Sequence, residues 1–168
     1  MGNSKFAQAQ YLIECGLSLL PKDKKKKLHA TFYMCWGKVY YELLRYCSNL
    51  LKAKADINKE LEEQMNAKTV LFNEISTEYT NLKIAKNYDE VKTIFRIGNT
   101  QYKKALAYFV LDGFVTEHVT IILDINGMYK ILQGLEETKS KQFGIAERRQ
   151  ELIEPIVKAI NPKAYIGL

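Results

Sequence analysis

The chain has 168 residues, of which 47% are hydrophobic and 26% are charged. A chain of this size can bury a core of its own, so the composition excludes a disordered tail and a miniprotein held by disulfides. No apolar run reaches the roughly 18 residues that a membrane span needs. The polar start lacks the apolar stretch of a secretory signal. These features predict a cytoplasmic protein without a membrane span.

A basic run lies near the start of the chain. Five of the six residues from Lys22 to Lys27 are lysine, and the formal net charge of the chain is +6. Such a run could touch phosphates or anionic lipid. No base-stacking aromatic residue or arginine stands beside it, which favours a solvated loop and argues against nucleic acid.

The three cysteines are Cys15, Cys35 and Cys47, and no two of them form a C-x-x-C pair. If Cys35 and Cys47 share one helix, they lie about 18 Å apart along its axis, too far for a disulfide. We therefore expect buried free thiols in a reducing compartment.

Helix-breaking residues are sparse. The chain has three prolines, and neither Gly nor Pro occurs between Gly37 and Gly98. Such spacing is typical of helical proteins. The alternation that marks a strand is short and confined to Thr69–Ile75. We predict an all-α chain.

Two helices are predicted in the first third of the chain. The first is expected over about Ser4–Leu20, where apolar residues recur at helical spacing, and Pro21 ends it. The second is expected over Lys26–Leu51, where a three-four apolar pattern is sustained. The pattern leaves open whether this helix continues to Glu63 or breaks near Asp56.

Aromatic residues also lie off the apolar face of the second helix, namely Tyr33, Tyr41 and Tyr46. A helix with apolar or aromatic residues on two sides must be covered on both. The second helix is therefore predicted to form the middle layer of stacked helices.

The helical pattern weakens from Asn66 to Lys86, where Thr, Asn and Ser become frequent, and this indicates a connecting segment. Asn87 with Glu90 predicts a capping box at the start of a third helix. The pair Asp112-Gly113 is expected to close that helix.

Two further helices are predicted after this point. The fourth covers Val115–Leu135, and a charged turn at Glu136–Lys141 follows it. The fifth runs over about Ser140–Ile160, and Pro155 inside it is expected to kink it. Asn161-Pro162 indicates a stop and a fresh helix start, so we expect the chain to be an excised piece of a longer protein.

Two stretches fit the tetratricopeptide unit, a helix pair of about 34 residues. The second helix of a unit needs small residues where two helices approach closely and a proline at its end. The first helix of the next unit needs aromatic, glycine and tyrosine positions. An ordinary helical hairpin bundle is the alternative. The matching residues are Phe6, Ala9, Ile13, Gly16 and Pro21, then Tyr33, Trp36, Gly37 and Tyr40.

The sequence carries little that points to catalysis. His29 and His118 are far apart, and neither has a second histidine at helical spacing. No nucleophile elbow, P-loop or dinucleotide-binding glycine pattern occurs. We predict that the chain is not an enzyme and has no catalytic, cofactor-binding or metal-binding residues.

The segment Lys104–Val119 carries a distinctive string: an aromatic pair, then Leu-Asp-Gly-aromatic-Val-Thr-acid-His. Asp124 and Tyr129 follow on the next predicted helix, as the Asp and the aromatic residue that continue this pattern. Further matching positions are Arg148, Arg149, Leu152, Glu154, Pro155, Asn161, Pro162 and Tyr165. In these features the chain resembles the kinesin-binding protein family, strongly over Tyr88–Tyr165. Over Ser4–Leu51 only the tetratricopeptide-like character agrees.

The resemblance implies an α-solenoid of tetratricopeptide-like antiparallel helix pairs. It implies a non-enzymatic scaffold, without a cofactor, that binds kinesin motor domains and blocks their attachment to microtubules. The expected location is the cytoplasm, in association with the cytoskeleton. The expected division is tetratricopeptide-like helices over 1–65, a connecting segment over 66–86, and helices of the family's C-terminal type over 87–168, truncated at the end.

A kinesin surface that binds acidic tubulin is expected to be basic, so its captor should offer acid. The local acidic candidates are Glu117 and Asp124, which lie on one helix face with Thr120 between them. We predict these three residues as the partner-binding site, with a solvated face as the alternative.

Two other partner classes stay open. One is a generic tetratricopeptide adaptor that binds peptide segments of other partners. The other is a binder of nucleic acid or of an acidic surface through Lys22–Lys27, which we rank below the first two. Apolar faces at the ends of a solenoid also predict self-association.

Overall fold

Six helices make up the fold in a computed structural model that describes residues 5–21, 25–55, 57 and 59–159. No strand occurs among these residues, so the all-α prediction is confirmed. The helices are α1 (Phe6–Ser18), α2 (Lys26–Lys52), α3 (Lys59–Met65), α4 (Tyr88–Leu106), α5 (Val115–Leu135) and α6 (Lys139–Ala159).

The open question about the length of the second helix is settled by a backbone turn. Lys54 has a φ of 49°, in the left-handed region. Its N–H donates to the Leu51 carbonyl at 3.1 Å, and the Ala55 N–H donates to the Leu50 carbonyl at 3.0 Å. This pair of bonds is the Schellman motif, which ends a helix. Asp56, where the break was expected, lies outside the described residues.

The start of α4 is capped by side chains, as the sequence predicts. Asn87 accepts a bond from the Glu90 N–H at 3.0 Å, and the Glu90 carboxylate accepts one from the Lys86 N–H at 2.7 Å. The predicted end was wrong, because α4 stops at Leu106 and not at Asp112-Gly113. The chain turns early because Phe109 is buried there, 1% exposed.

The last helix contains its proline. Pro155 lies inside α6, which continues to Ala159. Because proline has no backbone N–H, the carbonyl one turn earlier lacks its helical partner. The kink expected at this position stays a prediction, and Asn161-Pro162 lies outside the described residues.

The middle layer is α2, as predicted. It packs most extensively against α4 and also contacts α1 and α5. The order of contacts shows that α2 and α4 are antiparallel. Lys104 lies over the ring of Tyr33, whereas Gly98 faces Tyr40.

Two glycines allow α2 and α4 to approach closely. A Cβ atom added at Gly37 would lie 2.6 Å from the ring of Tyr102, which is fully buried. One added at Gly98 would lie 2.8 Å from the Cβ of Tyr40 and from the terminal methyl of Met128. Gly37 is one of the predicted tetratricopeptide positions, and α4 is the helix that packs closely against it.

The cysteine prediction holds for two of the three residues. Cys15 and Cys47 are buried free thiols, but Cys35 is exposed. The expectation was wrong for Cys35 because this residue shares the solvent-facing stripe of α2 with Lys38 and Arg45. Helical spacing of three, four and seven residues places these side chains on one face.

Tyr40 joins α1 to α2 in the core. It is 5% exposed, and its hydroxyl donates to the Gln10 side-chain oxygen at 2.9 Å. Burial, with a smaller contribution from the Glu14 carboxylate, raises the pKa of Tyr40 to about 12.

The connecting segment, residues 66–86, is held in place by α1. The Gln8 side chain accepts from the Thr69 N–H at 2.8 Å and donates to the Val70 carbonyl at 2.9 Å. The hydroxyl of Tyr11 accepts from the Phe72 N–H at 2.8 Å. These bonds reach the backbone, so they hold an extended segment whatever its side chains are.

The contact between Gly37 and Tyr102 predicts that alanine at position 37 destabilises the protein, although alanine in place of glycine usually stabilises a helix. Gly37→Ala should lower the free energy of unfolding by about 1–3 kcal/mol, because the added methyl overlaps the immobile ring of Tyr102. The matched control is Gly144→Ala in α6, where an added Cβ meets nothing within 4 Å. The control should gain about 0.5–1 kcal/mol from helix propensity. Urea unfolding followed by circular dichroism measures both, and a stabilising Gly37→Ala would contradict the close approach.

Tyr40 predicts how stability falls at high pH. The folded pKa lies above the ordinary value of 10.0. As pH rises from about 10 to about 12, the unfolded chain therefore loses this proton before the folded chain does, and stability falls. The Tyr40→Phe variant should lose about 1–2 kcal/mol less than the wild type across this window. Denaturation curves at several alkaline pH values measure the free energy of unfolding of both proteins. If it fell equally in the wild type and in Tyr40→Phe, the prediction would be contradicted.

Candidate interaction surface

The three residues predicted to bind a partner all lie on α5, but the structure places them differently. Thr120 is exposed, and its hydroxyl donates to the Thr116 carbonyl at 2.8 Å. Glu117 is half-buried in the first turn of the helix, where its negative charge suits the helix dipole. Asp124 has a side chain only 14% exposed.

Asp124 joins three helices. One carboxylate oxygen accepts from the Tyr102 hydroxyl of α4 at 2.8 Å, and the other lies 2.9 Å from the Lys38 ammonium of α2. Burial, followed by the nearby Asp124 charge, raises the pKa of Tyr102 well above its ordinary range. The phenol therefore stays a hydrogen-bond donor at any physiological pH.

These contacts give the predicted residues different capacities. Glu117 and Thr120 leave side-chain surface open to solvent. Asp124 has both oxygens engaged within the chain, and a charged hydrogen bond to a buried group contributes more to stability than an exposed ion pair does. Contact of these residues with a partner stays a prediction.

An acidic stripe on α6 was missed by the sequence reasoning. Glu147, Glu151 and Glu154 are all exposed and recur at helical spacing, so they share one face. Glu154 lies 2.5 Å from Lys158, whereas Glu147 and Glu151 repel each other at a spacing of four residues. The spacing of these residues is visible in the sequence, but their exposure depends on how α6 packs against α5.

Arg149 has a structural role. Its guanidinium donates to the Asn126 side-chain oxygen at 2.9 Å and to the Gln133 side-chain oxygen at 2.7 Å. Both acceptors are on α5, so Arg149 fastens α6 to α5. Arg148 is exposed.

A groove of about 750 Å³ lies between α2, α4 and the end of the connecting segment. Its floor is apolar, with Leu82 and Ile94 among the lining residues. Its charges balance, since Glu62 and Glu90 stand with two lysines along the rim. This groove therefore suits an apolar segment better than a strongly basic one.

The histidines are held by backbone carbonyls. His118 lies with its Nδ1 atom 2.8 Å from the Phe109 carbonyl, and the Nδ1 atom of His29 lies 3.1 Å from the Lys25 carbonyl. Within the described ranges, no group of three or more His, Cys, Asp or Glu side chains is placed to hold a metal ion. No helix in the described part of the chain combines the length and apolar character of a membrane span.

Residues 19–168 match the protein family described as KIF-1 binding protein C terminal. The chain belongs to this family. The match extends over α2 to α6, and it includes the connecting segment.

Curated relatives agree. The chain is 26% identical over 170 residues to KIF-binding protein of Danio rerio and 27% identical over 168 residues to that of Xenopus tropicalis, in each case covering 86% of this chain and 27% of the relative. KIF-binding protein of Dictyostelium discoideum is 26% identical over 119 residues, which are 69% of this chain and 19% of the relative. The chain thus spans about a quarter of the length of the first two relatives. No solved structure matches it.

The junction at Asp124 predicts a difference between two acidic residues of α5. Asp124→Asn should lower the free energy of unfolding by about 1–3 kcal/mol, because the buried Tyr102 hydroxyl loses a charged acceptor. Glu117→Gln should change it by less than about 0.5 kcal/mol. Urea unfolding measures both, and equal effects would contradict the structural role of Asp124.

Proposed function

We propose that the chain is part of a non-enzymatic scaffold that binds kinesin motor domains and blocks their attachment to microtubules. The observation that carries this proposal is the family match over residues 19–168, supported by relatives named KIF-binding protein. The expected location is cytoplasmic and associated with the cytoskeleton.

The proposed architecture is an α-solenoid of tetratricopeptide-like antiparallel helix pairs. Contacts along successive pairs support it. In α1 and α2, Phe6 lies beside Tyr46 while Gly16 faces Phe32, as antiparallel packing requires. In α5 and α6, Arg149 reaches back to Gln133 across a short turn. The proposed division stays at residues 1–65, 66–86 and 87–168.

In the proposed mechanism, acidic side chains of this chain bind a basic surface of the motor domain. A motor that binds acidic tubulin presents positive charge, and complementary charge steers and orients an encounter. The acids proposed for this contact are the half-buried Glu117 on α5 and the exposed Glu147 and Glu151 on α6. A motor whose microtubule-binding face is covered in this way cannot meet its track.

Charge reversal tests this mechanism. Glu117→Lys combined with Glu147→Lys and Glu151→Lys should weaken binding of a kinesin motor domain by about tenfold or more. The matched control is Glu74→Lys combined with Glu78→Lys and Glu137→Lys, three exposed acids outside α5 and α6 with the same change in net charge, and it should change affinity by less than about threefold. Affinity is measured by fluorescence anisotropy with a labelled motor domain.

The readout that bears on function is co-sedimentation of the motor with microtubules. The unaltered chain should reduce the sedimented motor, and the triple variant should restore it. If the unaltered chain leaves co-sedimentation unchanged, the kinesin-binding proposal is lost. If the triple variant inhibits as well as the control does, the acidic faces are not the contact.

A generic tetratricopeptide adaptor remains the second candidate, and one observation favours it. Gln8 and Tyr11 bind the backbone of the connecting segment, which is the chemistry that a peptide-binding helical groove needs. Here an extended segment of the same chain fills that position. Recovery of tail peptides without any kinesin in a pull-down would favour this function.

Self-association through apolar faces is also proposed. Phe143 and Val157 of α6 are 66% and 70% exposed, and Leu123 of α5 is 48% exposed. Large apolar side chains in such positions are typical of surfaces that another helix covers. Sedimentation equilibrium tests this, and a monomer at high concentration would exclude it.

A further inference from the structure

One end of the α2–α4 pair carries a concentration of positive charge. The start of α2 and the end of α4 meet there, because the two helices are antiparallel. Among the described residues, none of the lysines at this end forms an ion pair with a carboxylate. We call this group the basic end, and it consists of Lys25, Lys26, Lys27 and Lys104, all of them exposed.

The charge at the start of α2 opposes helix stability. The first turn of a helix favours acidic side chains, because its free N–H groups carry partial positive charge. In α2 that turn contains Lys26 and Lys27 and no acid, and Lys25 at the N-cap makes no capping bond through its side chain. Local rules that a sequence breaks without a folding benefit are found most often at functional sites.

Aromatic rings stand among these lysines. Lys104 lies 5.1 Å from the ring centre of Tyr33, and Lys27 lies 5.5 Å from that of Phe114. No aromatic residue stands beside the basic run in the sequence, but α4 and the turn after it bring distant rings to the start of α2.

A small cleft opens between these groups. Its volume is about 250 Å³, and its lining combines cations with an apolar wall. The cations are Lys26 and Lys104, with the imidazole of His29 beside them, and the wall is made by Ala30, Tyr33, Ala107 and Tyr108. The cleft therefore offers space for one apolar side chain with positive charge on its rim.

We propose that the basic end is a docking site for an acidic segment of a partner protein, in which carboxylates flank one apolar side chain. The carboxylates would meet the lysines, and the apolar side chain would enter the cleft. This surface is opposite in charge to the one proposed for the basic motor domain, so it requires a different partner segment.

Carboxylate fits these observations better than the phosphate of nucleic acid does. Single-stranded nucleic acid stacks its bases on exposed ring faces, whereas lysines lie over the rings of Tyr33 and Phe114. The wall of the cleft also includes Ala30 and Ala107, which suit an apolar side chain of a peptide better than a phosphate.

The test uses a short fluorescent peptide with one phenylalanine between two runs of glutamate, and fluorescence anisotropy with the full chain. Binding should weaken by about tenfold when glutamine replaces glutamate, and it should fall as sodium chloride is raised from about 50 to about 200 mM. Replacement of the phenylalanine by alanine should also weaken it by about threefold or more.

The variant Lys26→Glu with Lys27→Glu should reduce affinity for the peptide by about tenfold or more. It should not lower the melting temperature, because acid at the start of α2 suits the helix dipole. The matched control is Lys130→Glu with Lys139→Glu, two exposed lysines elsewhere with the same change in net charge. The control should lose less than about threefold.

Three outcomes would overturn the proposal. The first is equal binding of the glutamate and glutamine peptides. The second is an equal loss in the two charge-reversed variants, which would indicate net charge and no site. The third is tighter binding of single-stranded oligothymidine, or of vesicles containing phosphatidylserine, than of the glutamate peptide, which would assign the surface to phosphate.

Discussion

The close approach of α2 and α4 is the contact on which the other helices depend. Gly37 leaves room for the buried ring of Tyr102, and the hydroxyl of that ring reaches past α2 to the Asp124 carboxylate on α5. Lys38 completes the junction from the solvent side. Tyr102 thus fixes the spacing between α2 and α4 and the position of α5. A change at Gly37 or at the Asp124 carboxylate should therefore affect α2, α4 and α5.

The helices of this fold could be read from the sequence because breakers are sparse and the apolar period is regular. The capping box at Asn87 is a local signal, and local signals determine where helices begin. The stop at Lys54 could not be read, because a lysine in the left-handed conformation has no sequence signature. The early end of α4 was equally hidden, since Phe109 is buried in the turn after the helix, where its ring packs with those of Tyr108 and Phe114.

The candidate site shows the same limit. Helical spacing places Glu117, Thr120 and Asp124 on one face, but spacing does not indicate that a tyrosine on another helix engages Asp124. Exposure also depends on tertiary packing, which leaves Glu147 and Glu151 exposed on α6 while Asp124 is engaged within the chain. Acidic side chains are therefore found on α5 and α6, and a cluster of lysines lies at the start of α2. The net charge of +6 does not reveal either of these two surfaces.

The central proposal is that the closely packed α2–α4 pair holds α5 and α6 so that their acidic residues meet a basic motor surface. Amide hydrogen exchange of the chain, with and without a kinesin motor domain, tests it most directly. The account predicts the slowest exchange around Gly37 and Gly98 in both states, with added protection on α5 and α6 when the motor is bound. Motor-dependent protection confined to the start of α2, or none on α5 and α6, would contradict it.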